Sequence, residues 1–310
     1  MRKRLKYPLL LLVVVYSIAF CSIQPKLENS LLWKISGNGL TEDSYLFGTN
    51  HGVHNSFLDS VPGFWNAFLS AKTIVVELDV TSQSNRHSFV EVLNKEEILL
   101  PKDSTYKVLY NTEDYKLVDD YMNAHGFGHL SGIDAKPALM NMVISFMMLN
   151  GATQKVNNKS EMNMEPYMLN LAKKTNKNIM QLDDLEKVEP GKAWALEWGL
   201  TTPLKEQADA LLELIKNEDT MLEARSMFAH YYKQQDLEIM DELNDLYKKT
   251  APKTYDMRLV NRNDIWMESI LEILKSGSSF IAVGVRHLVG EDGLIALLRK
   301  EGYTVEPVKQ

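Results

Sequence analysis

The chain has one cysteine, Cys21, in 310 residues. Beyond position 21 this excludes a disulfide framework, a thiolate nucleophile and a cysteine-ligated zinc site. A clustered basic surplus is missing too. The formal net charge is −7, and no surface suited to nucleic-acid phosphates is expected. There is no Gly-x-Ser-x-Gly elbow, Walker loop, dinucleotide fingerprint or His-Glu-x-x-His helix. Low-complexity tracts and short solenoid periods are absent as well. What remains is 45% hydrophobic and 24% charged, the composition of an ordinary globular protein with room for one large domain or two small ones.

Acidic residues are absent before Glu28, whereas Arg2, Lys3, Arg4 and Lys6 come early. The apolar run over residues 9–20 follows, about as long as the core of a signal peptide and short for a membrane span. Residues 1–21 are therefore expected to be an export signal or a lipoprotein signal, the competing reading being a retained anchor helix. Cys21 stands where that run ends. Ile18-Ala19-Phe20-Cys21 resembles a lipoprotein box in part, although Phe20 occupies a place usually held by a small residue. Either Cys21 carries lipid or it leaves with the removed peptide. The expected setting is periplasmic or membrane-tethered, with membrane contact only through such a lipid anchor.

Strand-like segments gather at the two ends of the chain. Residues 31–36 and 44–48 read as a hairpin, and 73–80 as a strand rich in β-branched residues. A helix is expected over 60–71, with Ser60 as N-cap and Pro62 in its first turn. The middle reads as helices over 113–124, 138–149 and 166–176, a strand over 178–182, and long helices over 203–249 and 256–276. The last unit is a strand over 279–285, a helix over 293–300 capped by Asp292, and a strand over 304–307. The expected fold class is α/β: a mixed central sheet from N- and C-terminal strands, with a large helical middle segment as insertion or lid at about 105–276.

Two segments share one shape. Tyr45-Leu46-Phe47-Gly48-Thr49-Asn50-His51 and Ile281-Ala282-Val283-Gly284-Val285-Arg286-His287 each run from an apolar strand through Gly-x-x to a histidine. Glycine allows a sharp turn, and strand C-termini are where α/β sheets place ligands. Two such ends side by side would bring His51 and His287 together. Imidazole suits Zn, Mn, Fe or Co, and a neighbouring carboxylate favours the harder ions. Glu77, near the end of the strand over 73–80, supplies that carboxylate as ligand or general base, with Asp79 on the same face. Taken singly, a Gly-x-x-His is common by chance and an acidic strand end is usually solvated; the pairing is what points to a site. His54 has no second reason for promotion. His125 and His129, separated by a stretch containing Gly126 and Gly128, read as loop histidines. Met140, Met142, Met147, Met148, Met162, Met164, Met168 and Met180 read as core, and the charged helices over 204–249 as solvated faces.

The opening Leu31-Leu32-Trp33-Lys34-Ile35 with Ser44 to His51, and the closing Phe280 to Gly293 with Gly302-Tyr303-Thr304-Val305, resemble the two ends of the TraB/GumN family. Val76-Glu77-Leu78 resembles its acidic strand, and Arg262-Asn263 its Arg-Asn pair. The resemblance covers residues 29–308. It implies an EreA/ChaN-like, Tiki-type core, since the Tiki metalloproteases are similar at these motifs. By that resemblance His51, Glu77 and His287 are metal-site or catalytic residues, with a divalent metal such as Mn or Co and a peptide or protein substrate. Arg262 would stabilise an oxyanion and Asn263 orient a neighbour; a helix-surface ion pair is the plainer reading of Arg262. The middle departs from the family pattern at Met164-Glu165-Pro166-Tyr167 and at Gln181-Leu182-Asp183-Asp184, which keep the charge and change the side-chain length. The alternative function is a non-catalytic exported protein that binds metal, haem or another ligand on the same fold; a third is an accessory surface protein without chemistry.

Overall fold

In the computed structural model, residues 27–79, 81–85, 98–154, 162–183 and 199–309 are described. The expected signal over 1–21 with Cys21, and Val80 and Asp184, lie outside them. Six strands form one mixed sheet: β1 (Leu32–Ser36), β2 (Ser44–Thr49), β3 (Thr73–Val76), β4 (Asn178–Gln181), β5 (Ser279–Gly284) and β6 (Thr304–Pro307), in the order β4-β3-β5-β2-β1-β6. β4, β3, β5 and β2 run parallel, while β1 is antiparallel to both β2 and β6. The α/β expectation with a mixed sheet from both ends of the chain is met, and β4 adds a strand from the middle.

Each strand's place follows from its side chains. Thr73-Ile74-Val75-Val76 of β3 is buried throughout, as a parallel strand covered on both faces must be. β4 alternates exposed and half-buried positions and sits at the edge. Helices α1 (Phe64–Ser70), α5 (Met164–Lys174), α10 (Asn261–Ser276) and α11 (Leu294–Lys300) pack apolar residues into the same core as the sheet. Phe280 of β5 lies at its centre, with ring centroids 5.7, 5.4 and 5.3 Å from Phe47, Phe64 and Phe68. A second apolar cluster joins α2 (Tyr106–Leu109), α3 (Thr112–Ala124), α4 (Pro137–Gln154) and α6 (Leu204–Lys216), through Tyr106, Val118, Met140, Ile144 and Leu211 among others. Among the described residues no helix is long and apolar enough to cross a membrane.

Several boundaries differ from expectation for physical reasons. Ser60 closes a 3-10 turn (Asn55–Ser60) instead of capping a helix. α1 starts at Phe64 because Gly63 turns left-handed at φ 72, where an added Cβ would meet Val308 Cγ1 at 2.6 Å. The strand expected over 73–80 ends at Val76. Asp79 accepts a hydrogen bond from Thr81 N at 2.8 Å and turns the chain. It also pairs with Lys173 at 3.6 Å, so it does not share the role of Glu77. The long helical stretch divides into α6, α7 (Glu218–Lys233) and α8 (Leu237–Thr250), broken at Asn217 and at Gln235, whose φ is 57. The next helix opens with α9 (Pro252–Tyr255) and a π-helical turn (Asp256–Val260) before α10. Asp292 does not cap α11; its carboxylate pairs with Lys248 at 3.1 Å. Met140, Met148, Met164 and Met168 are core, while Met147, Met162 and Met180 are exposed.

Replacing Phe280 by Ala removes a ring with three aromatic neighbours and should destabilise the fold by about 3 to 5 kcal/mol. A urea midpoint unchanged from wild type would contradict this placement of the core.

Candidate functional site

Parallel registry sets the site. Thr49 lies opposite Gly284, and Val76 lies opposite both Ala282 and Gln181. The C-terminal ends of β2, β5, β3 and β4 are therefore neighbours. The residues that follow them, His51, His287, Glu77 and Asp183, emerge along one edge. Helix α10 lies against that edge and presents Arg262, Asn263 and Trp266, the outer two a helical turn apart.

Arg262 is central. One guanidinium nitrogen, Nη2, donates to Glu77 Oε2 and to Asp183 Oδ2, each at 2.7 Å. Its plane lies over the Trp266 ring at 4.4 Å, and Trp266 Nε1 donates to the other Asp183 oxygen at 2.8 Å. Glu77 Oε1 accepts from Gly284 N at 2.6 Å. A Cβ on Gly284 would come within 3.2 Å of that oxygen, so glycine keeps the backbone open to the carboxylate. Burial works against the charge on Glu77, but Arg262, His287, His51 and the Gly284 N–H outweigh it and hold the carboxyl at about 2. Burial pushes Asp183 up, with Arg262 opposing.

His287 ends the 3-10 turn after β5 and is buried. Its Nδ1 is 2.7 Å from Asn263 Oδ1. The Asn263 amide is oriented because Nδ2 donates to the His287 carbonyl at 3.3 Å and to the Asp292 carbonyl at 2.7 Å. Its oxygen thus faces the ring, Nδ1 carries the proton, and Nε2 keeps a lone pair. That nitrogen is 3.4 Å from Arg262 Nη1 and 4.0 Å from Glu77 Oε1. Burial, with Arg262 and Arg286, pushes His287 down to about 3, against the pull of Glu77; the ring is neutral.

His51 is different. Its side chain is 65% exposed, and Nδ1 stands 2.9 Å from Oε1 of Glu165, in the first turn of α5. The contact is an ion pair more than an aligned hydrogen bond, since neither Glu165 oxygen has a partner of full hydrogen-bond geometry. The Glu165 carboxylate raises His51 to about 9. The pairing of β2 with β5 sets the turn that carries His51 beside the turn that carries His287.

All five sequence-derived residues thus come to one edge. His51, Glu77 and His287 follow strand ends as expected, and Arg262 makes the ion pair of the plainer reading, bridging two half-buried carboxylates instead of standing on an open surface. Asn263 orients His287. Glu165 and Asp183, where the chain departs from the family pattern, both touch the site. Trp266 was missed; its spacing four residues after Arg262 is the available signal. His125 stacks on Tyr121 and His129 pairs with Asp119, both locally.

A model of the TraB/PrgY/gumN family matches residues 31–307. The chain belongs to this family. No curated protein and no solved structure matches it. The matched stretch runs from β1 to β6 and so takes in both Gly-x-x-His ends, the acidic strand and the Arg-Asn pair. Among the described residues no three His, Asp or Glu side chains form a closed ligand set. The donor types nevertheless suit a divalent cation: a neutral imidazole whose Nε2 accepts from Arg262 Nη1 in this structure, an ionised carboxylate beside it, and a second imidazole after the neighbouring strand end.

Replacing Arg262 by Met leaves Glu77 and Asp183 facing each other without their cation. A loss of about 3 kcal/mol is expected, at the lower end for a buried pair because each group stays partly exposed, by 19% to 28%. Equal thermal stability of the two proteins would mean that the bridge contributes nothing.

Proposed function

We propose that the chain is an exported metal-dependent hydrolase, peptidase-like in its chemistry, with its centre at His51, Glu77 and His287. The observation that carries the reading is the neutral, oriented His287, whose Nε2 lies 4.0 Å from the ionised Glu77 and accepts from Arg262. A divalent ion held by these residues, Mn or Co by the resemblance to Tiki-type proteases, would polarise a carbonyl and acidify a bound water. Glu77, kept at about 2, is suited to ligate a cation and to orient a water proton more than to retain one. Asn263 keeps the His287 lone pair facing the site. Arg262, fixed by Trp266 and two carboxylates and donating Nη1 to His287 Nε2, places its positive charge beside the position of an oxygen gaining negative charge. The substrate class is peptide or protein, and nucleic acid is not among the partners.

The Arg262 bridge supports a second reading as well. It already compensates both carboxylates in the resting fold, as a protein that binds metal, haem or another ligand without turnover could keep it. Residues 1–21 serve in either reading as the export signal, with Cys21 as the lipid attachment point if the mature N-terminus is tethered; mass spectrometry of that N-terminus would identify the lipid or its absence.

Metal content of residues 26–310 separates these readings from an inert fold. Stoichiometric Mn, Co, Zn or Fe is expected in the parent and should be lost in a folded His51→Ala, His287→Ala variant. No binding of any of these ions by the parent would remove the metal-hydrolase reading. Glu77→Gln should lower peptide turnover by about 10²-fold or more; metal binding with no turnover in the parent would favour the binding protein.

A further inference from the structure

The two Gly-x-x-His ends match in sequence and differ in what completes them. His287 receives a neutral amide oxygen at Nδ1, from Asn263 one turn of helix away from the sheet edge. His51 receives a carboxylate at the same ring atom, Glu165 Oε1 at 2.9 Å. Nothing in the local sequence around His51 supplies that carboxylate; it comes from the start of α5, far along the chain. The placement is built from several sides. Met164, next to Glu165, is fully buried, and its sulfur accepts from Asn50 N at 3.5 Å and from the Tyr232 hydroxyl at 3.4 Å. The same Tyr232 hydroxyl is 2.7 Å from the carbonyl of Gly48, the first residue of the Gly-x-x-His turn. An isolated pairing of His54 with Asn163 ties the loop after His51 to the residue before α5, and Asn55 N donates to the Met162 carbonyl at 2.9 Å. The start of α5 is thus fastened to the β2 turn on both sides of His51, and the carboxylate is delivered where the ring needs it.

We infer that Glu165 is the positioning residue for His51: its carboxylate faces the Nδ1–H, which keeps that proton on the ring, and so directs Nε2 to a ligand at the strand edge. A carboxylate partner makes an imidazole a stronger donor than an amide partner does, and such partners govern ligand affinity without touching the ligand. The two histidines of the paired motif are therefore unequal by construction, His51 exposed and backed by a carboxylate, His287 buried and neutral. This rests on the metal-centre reading for its consequence but not for its test.

The first measurement is long-range ¹H–¹⁵N imidazole spectra of the metal-free full chain. Wild type should show His51 with a protonated, carboxylate-bound Nδ1. Glu165→Gln should shift the His51 ring resonances while leaving those of His287 in place, and Glu165→Asp should restore part of the wild-type pattern. A His51 signature unchanged in Glu165→Gln would overturn the assignment, as would equal disturbance of both rings, which would mark Glu165 as merely structural. The second measurement is Mn affinity by titration calorimetry. Glu165→Ala should weaken it by about 10- to 100-fold, with Glu165→Asp recovering most of the loss, and affinity equal to wild type in a folded Glu165→Ala would refute the positioning role. A wild type that binds no Mn would count against the metal centre alone, and the imidazole spectra would then decide the role of Glu165.

Discussion

Everything at the candidate site depends on the parallel pairing of β2 with β5. That pairing sets Thr49 against Gly284, and only in that register do the two Gly-x-x-His turns leave the sheet side by side. A slip of one residue would turn every side chain of β5 to the opposite face, moving Phe280 out of the aromatic cluster that it shares with Phe47, Phe64 and Phe68. Burial of those rings is thus also what holds the histidines in register. Packing and chemistry are the same constraint seen at the two ends of one strand pair.

Electrostatics adds a second layer. Three charged side chains, Glu77, Asp183 and Arg262, meet in a half-buried place where none would be stable alone. The guanidinium joins the ends of β3 and β4 to α10, and the indole of Trp266 backs it. The Gly284 N–H brings β5 into the same network. The result is a carboxylate that keeps its charge and an adjacent imidazole that has none. Such separation of neighbouring titratable groups is how a fold assigns them different tasks.

The α/β class, the sheet drawn from both ends and the convergence of His51, Glu77 and His287 were legible because the signals are local: apolar runs, glycines at strand ends, β-branched residues. What was not legible depends on contacts between distant segments. Ser60 reads as a helix cap, but it ends a 3-10 turn, and left-handed Gly63, which packs against Val308 from the far end of the chain, caps the helix at Phe64. Asp79 has the right spacing to join Glu77, yet its own bond to Thr81 turns it away. Trp266 carries no motif of its own. Glu165 and Asp183 stood out only as departures from a pattern, since their partners, His51 and Arg262, are supplied from elsewhere in the chain.

The strand order has a consequence for how the molecule comes into being. β5, which lies between β3 and β2, and β6, which covers β1, are the last two strands of the chain. Until they arrive, β2 and β3 have no common neighbour and the aromatic core has no Phe280. The sheet is therefore assembled by contacts of high sequence separation, a topology that folds slowly because long loops must close before any pairing is rewarded. The earlier strands must wait with one side open, exposed to pairing with other chains. A growing chain would hold both the core and the strand edge of Glu77 unfinished until β5 and β6 are made, and would acquire them together.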